Sequence, residues 1–273
     1  MTSKQDERLP TTVYNKKWET EIITRKNTNP KVIESIEWVM RNVEARLVAE
    51  RRNLITIIEN AVEYLENRGV SKIYYDGLNR EFFHRFLSYA GDAYDEKIQD
   101  LWAKILAGEL EEPNTYSIRT LAVLRDLTSA EAQTFKNAAM FFGKLDEGES
   151  GREFLINDQQ SIRSECGFTV NDMTLLEEAG LLNSLSNTKL KLRAGFRELV
   201  IGNRSKIDVL VKAGKGVRMP IYTLTTAGSE ILHLFDNEIS SEEEIMQEKY
   251  MIRIVDYLQE LWADKAEVQF TDK

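Results

Sequence analysis

Nine basic side chains fall between positions 189 and 218: Lys189, Lys191, Arg193, Arg197, Arg204, Lys206, Lys212, Lys215 and Arg218. Only Glu198 and Asp208 oppose them. The span therefore carries +7 in a chain of formal net charge −9, and the rest of the chain carries −16. Lysine and arginine gathered this way have the chemistry of phosphate contact, because they neutralise a polyanion and release its counterions. The acidic whole excludes nucleic-acid binding over the entire surface, but it leaves this local patch open. The helical stretch just upstream, NDMTLLEEAGLL, carries Asp172, Glu177 and Glu178. Base-reading helices offer Arg, Lys, Asn or Gln instead, so contact here would be with backbone and weak in sequence preference.

Other residues could do chemistry by type but lack the company it needs. Asp92, Asp95, Glu96 and Asp100 could hold a metal or exchange protons. With no histidine among them, they read as the solvated start of a helix, where the dipole favours acids. Ser161, Ser164 and Cys166 have no histidine nearby, and His84 and His233 are far apart in sequence. Neither a Ser-His-acid triad nor a Cys/His zinc site is legible. His233 sits among Ile231, Leu232, Leu234 and Phe235 and reads as a core or interface residue. KAGKGVRMP lacks the spacing of a phosphate-binding loop and reads as a turn. Lys104 and Arg119 read as partners of neighbouring acids. No catalytic residue, metal ligand or cofactor site is predicted, and the expectation is a non-enzyme.

The 273 residues allow one large domain or two smaller ones. The single Cys166 cannot form an internal disulfide, which fits a reducing cytoplasm. The polar first thirty residues show neither a signal peptide nor a membrane span, so the expected location is cytoplasmic, with no membrane partner.

The elements that must position these residues follow from periodicity. Residues 1–28 read as a flexible arm, in which Val13, Tyr14 and Trp18 could dock onto a body or a partner. Asn29 and Pro30 suit an N-cap and first helical position, and the pattern then runs to Arg68. Ile33, Ile36, Met40, Val43, Leu47, Leu54, Ile57 and Ala61 recur at steps of three and four, with a polar break at Glu50. Of these, Ile36, Met40, Val43, Leu47, Leu54 and Ile57 are the candidate seam for an oligomer or protein partner. Val39, Ile58, Val62 and Leu65 widen the face and favour packing within the chain's own domain. In DEKIQDLWAKILAGEL, Leu101, Trp102, Ile105 and Leu106, with Ile98, mark a buried face, and Trp102 reads as a core anchor. Asn79, Ser117 or Asn114, and Thr128 with Glu131 suit caps of further helices.

The charged stretch GKLDEGESGREF marks a boundary. Beyond it come helices around DQQSIRSEC and NDMTLLEEAGLL, the latter capped by Thr169 or Asn171. Strand-like KLKLR, RELVIG, SKIDVLVK and PIYTL follow, with GNRS as a hairpin turn. A helix over TTAGSEILHLF follows, capped by Thr225 or Thr226, and a last helix starts at Ser240 or Ser241. This order is that of a winged-helix module. The expected fold is mainly α: an N-terminal helical domain (29–145) with a long helix, a winged-helix-like α+β domain (152–236) and a terminal helix (240–267).

The stretch from Asp95 to Phe135 resembles the bacterial DUF2806 family. There an LWAKILAGE helix, matched by residues 101–109, is followed by S-x-RTL, matched at Ser117, Arg119, Thr120 and Leu121. An L-x-x-L-S/T-x-x-(D/E)-A segment then matches at Leu124, Leu127 and Ala132. The upstream AERRNLITIIENA is similar to the family's entry helix. A more distant resemblance, to the Abi-alpha abortive-infection family, implies a role in prokaryotic defence against phage and transfers no site residues. The leading expectation is an adaptor or regulator that self-associates and binds a protein partner. The alternative is a DNA- or RNA-binding regulator using the basic hairpin. An enzyme with an acidic metal site ranks last.

Overall fold

The computed structural model describes residues 30–74, 77–145, 153–157, 161–183, 188–202, 205–235 and 240–271. The expected arm over 1–28, with Val13, Tyr14 and Trp18, lies outside them, as do Asn29, Arg204 and the side chains of Ile33 and Ile36. Contacts divide the chain into two units, 1–51 and 52–273. The division falls within the first helix, α1, Pro30–Asn67.

In the first unit, α1 is held by local bonds from Ser35 to the Lys31 carbonyl and from Asn42 to the Trp38 carbonyl, with an Arg46–Glu50 pair one turn apart. Trp38, Val39, Val43, Leu47 and Val48 are exposed along it.

The second unit begins with the remaining turns of α1 and adds α2 (Arg80–Ala90), α3 (Glu96–Glu111), α4 (Ile118–Asp126) and α5 (Ser129–Ala138). Each of α2 to α5 starts at a side-chain cap that satisfies otherwise unpaired backbone N–H groups. Asn79, Asp95, Ser117 and Thr128 serve in turn, the last with Glu131 in a reciprocal capping box. Asp95 is thus the cap itself. Trp102 is fully buried and meets Phe86 edge-on at 5.4 Å. Asn53 and Gln99, both buried, bond to each other and to the carbonyls of Gly91 and Ala93, which ties α1 to the turn before α3.

The C-terminal half departs from expectation. A short 3-10 turn leads into β1 (Phe142–Leu145), followed by β2 (Phe154–Ile156), α6 (Ser161–Glu165) and α7 (Val170–Glu178). Then come β3 (Lys189–Ile201), β4 (Ser205–Thr223), α8 (Thr226–Leu232), α9 (Ser241–Trp262) and β5 (Ala266–Thr271). All strand pairings are antiparallel. β1 pairs with β2 and β3, and β4 pairs with β2, β3 and β5. Following β1, β3, β4, β2 and back to β1 closes a four-stranded barrel, with β5 as an extra strand on β4.

This corrects the winged-helix expectation. A wing is a short hairpin projecting from its helices. Here KLKLR and RELVIG are one 13-residue strand, and SKIDVLVK and PIYTL are parts of one 19-residue strand. Both run on into the barrel wall. The physical reason is burial alternation: Leu192, Leu199, Ile201, Ile207, Val209, Val211, Val217, Met219 and Ile221 all turn inward and need a closed interior. Strands β1 and β2 supply the missing walls, and they take in the two ends of the stretch GKLDEGESGREF read from sequence as a boundary. The last helix stops at Trp262, and AEVQFT, with its apolar–polar alternation, is strand β5.

Candidate nucleic-acid interface

The register of β3 and β4 decides which basic residues share a face. Lys189 lies opposite Pro220, Lys191 opposite Arg218, and Arg193 opposite Gly216. Leu192, Val217 and Met219 between them are buried. By the two-residue period of a strand, Lys189, Lys191, Arg193 and Arg218 therefore all point outward. The inner face is anchored to α9, where buried Trp262 donates from Nε1 to the Arg218 carbonyl at 3.1 Å.

Beyond Arg193 the ladder is interrupted. Between the Arg193–Gly216 and Gly195–Val211 pairs, Ala194 alone faces Lys212, Ala213, Gly214 and Lys215. This bulge requires positive φ at Gly195 (122°) and Gly214 (72°), which only glycine adopts without strain. It is the KAGKG stretch that reads as a turn in the sequence, and it presents Lys212 and Lys215 to solvent.

Five of these cations, Lys189, Lys191, Arg193, Lys215 and Arg218, are exposed and make no side-chain hydrogen bond or ion pair with any described residue. Lys191 and Arg218 are also like charges set directly opposite one another, an arrangement that costs a sheet stability. Three of the other predicted basic residues are occupied, and Arg204 lies outside the described residues. Lys206 pairs with Glu198 at 2.5 Å, and Lys212 reaches Glu267 at 3.9 Å. Arg197 donates to the Phe196 carbonyl at 2.6 Å.

One feature of this face escapes the charge count. After the bulge the outward phase of β3 shifts to Phe196, Glu198 and Val200. Phe196 is 55% exposed and lies opposite Leu210, 46% exposed. The signal was legible in RAGFREL, a phenylalanine between two arginines, but a bulge was needed to turn it outward.

The remaining predicted residues are distributed elsewhere. Leu101, Trp102, Ile105 and Leu106 lie in the core. In the proposed seam, Ile57 is fully buried and Leu54 packs against the core, so these two belong to their own chain rather than to a partner. Val43 and Leu47 are exposed, and Met40 is half-buried. Among the acids, Asp100 accepts from the Tyr64 hydroxyl and pairs with Lys104 at 3.2 Å. Among the described residues no group of three or more His, Cys, Asp or Glu could hold a metal.

His233 is exposed and meets Glu153 at 2.8 Å, and Ser229 donates to the same carboxylate at 2.7 Å. Glu153 thus bonds to both, one oxygen to the serine and the other to the histidine, and this differs from the serine-to-histidine bond of an activated nucleophile. Burial works to raise the pKa of Glu153, but the bonds from His233 and Ser229 outweigh it and hold it at about 2. The same bond to Glu153 raises the pKa of His233.

The family profile described as a protein of unknown function, DUF2806, matches residues 39–247. The chain belongs to the DUF2806 family. The match runs from α1 through the barrel strands into α9, so the basic hairpin lies inside the DUF2806 region. No curated protein and no solved structure matches the chain. No helix among the described residues is long and apolar enough to cross a membrane.

Proposed function

We propose that this DUF2806 protein is a non-enzymatic binding protein that grips the phosphate backbone of a nucleic acid with the bulged β3–β4 ribbon. The observation that carries the reading is the set of five exposed cations that pair with no acid among the described residues, in a chain of net charge −9. A chain rich in acids has ample means to neutralise them. Five held open, two of them opposed across the ladder, are suited to an anion from outside. Binding of this kind is backbone-directed and steeply salt-dependent. Fluorescence anisotropy with labelled oligonucleotides tests it: five phosphate contacts give a log–log salt slope of roughly −3 to −5. No binding at low salt removes the proposal.

A second reading, an adaptor that self-associates, is favoured by one observation. Trp38, Val39, Val43, Leu47 and Val48 are exposed on a single helix, with Trp38 at 61%. A second copy of the same helix would cover them. Sedimentation of wild type and of Leu47→Asp decides it: a wild-type monomer sinks the reading. The defence setting enters through the Abi-alpha resemblance, and its test is phage challenge of cells with and without the protein.

A further inference from the structure

We infer that the nucleic acid is single-stranded and that Phe196 is the platform on which one of its bases stacks. This rests on the reading above and narrows it.

The outer face of the hairpin is ordered along its length. Lys189, Lys191, Arg193 and Arg218 occupy one end, and the bulge with Lys212 and Lys215 comes next. The Phe196–Leu210 pair follows, and then Glu198 with Asp208. Phe196 thus sits where the row of cations without a described acidic partner ends and Glu198 and Asp208 begin. Same-face residues on a strand are about 6.6 Å apart, so Lys189, Lys191 and Arg193 form a row that a phosphate chain can follow. Glu198, Asp208 and Glu267 repel phosphate and limit the row at the far side of Phe196.

In a duplex the base faces are stacked on one another, and an exposed aromatic ring beside Arg193 and the bulge reaches one only at the cost of unstacking a step. Against a single strand it offers a π-face for an unstacked base, and base–aromatic stacking is tolerant of sequence. That tolerance agrees with a site that has cations and an aromatic ring but no helix offering side chains to base edges. Leu210, across the ladder, extends the apolar surface under the same base.

The test uses the full chain and four labelled probes at low salt: single-stranded DNA, single-stranded RNA, a DNA duplex of the same sequence, and inorganic polyphosphate. Single strands are expected to bind at least tenfold more tightly than the duplex. Phe196→Ala should lower single-strand affinity by about tenfold or more and leave duplex and polyphosphate binding unchanged. Phe196→Trp should restore it. Phe196 is exposed, so both variants should melt like wild type. The DNA and RNA arms identify which strand is preferred. Equal affinity for duplex and single strand, or an unchanged Phe196→Ala, overturns the stacking inference while the phosphate grip stands. No binding to any probe overturns both. Binding to vesicles of anionic lipid but to none of the oligonucleotides assigns Phe196 and Leu210 to a lipid surface and overturns the inference.

Discussion

The two ends of the β3–β4 hairpin are made of the same material and treated in opposite ways. At the end flanked by β5, charges are matched: Lys206 with Glu198, Lys212 with Glu267, and Asp208 accepting from Thr271 at 2.9 Å. At the other end, open in that β5 does not reach it although β4 runs on to pair with β2, Lys189, Lys191, Arg193, Lys215 and Arg218 pair with no acid among the described residues. Where β5 is present, β3, β4 and β5 lie side by side, so acids and bases on neighbouring strands come within reach. Residues 189–193 and 216–220 are laddered only to each other before β4 meets β2 at Ile221, and both strands present cations. The contrast separates charge used to hold the sheet from charge kept available to a ligand.

The largest effect expected on this comparison is structural. Trp262 is buried and holds the inner face of the open end through Arg218. Trp262→Ala should cost about 3–5 kcal/mol, as for other aromatic truncations in cores, read from urea unfolding. An unchanged midpoint would break the claim that the ribbon is anchored there.

Charge reversal comes next. The double variant Lys191→Glu, Arg218→Glu should weaken oligonucleotide binding at low salt by more than tenfold and reduce the salt slope by about two, with little change in melting. Lys206→Glu should do the reverse: it sets a third acid beside Glu198 and Asp208, so it lowers stability and leaves most of the binding. If the two variants act alike, the two ends are not distinct.

A smaller and more discriminating effect is expected from Lys191→Thr. Removing one of two opposed like charges should raise stability by about 0.2–1 kcal/mol while binding falls. A stabilised protein with weaker binding would show that the open end is kept at a cost to the fold.

The smallest effect concerns pH. His233 has a raised pKa in the folded state, so its stabilisation is fully present below its unfolded value and is lost as pH rises through the folded one. Glu153, held at about 2, contributes above its unfolded value and loses that contribution as pH falls towards 2. The pair is strongest between about pH 4.5 and 6.5. Because His233 is exposed, solvent screening keeps the gain below about 1 kcal/mol. Wild type should lose stability relative to His233→Gln between pH 6 and 9, and parallel pH profiles would exclude this linkage.

The amino-acid sequence by itself determined the helices, their caps and the buried face of α3. Caps are local: Asn79, Ser117, Thr128, Thr169, Thr225 and Ser240 bond to backbone within three residues. Trp102 and its neighbours announce burial through a 3.6-residue period. The sequence also determined the positive charge of the hairpin. Tertiary structure decided what a strand does with its partners. Closure of the barrel depends on β1 and β2, three or four residues each, too short to carry a period of their own and separated by a charged stretch. Whether Ile57 meets a partner or its own core depends on which face α1 lays against α3, and the stripe itself does not say. Whether a lysine is matched or open depends on the strand that lies beside it. The phase shift that turns Phe196 outward comes from a bulge, in which four residues of one strand face a single residue of the other. Sequence periodicity counts residues along one chain, whereas register is a relation between two.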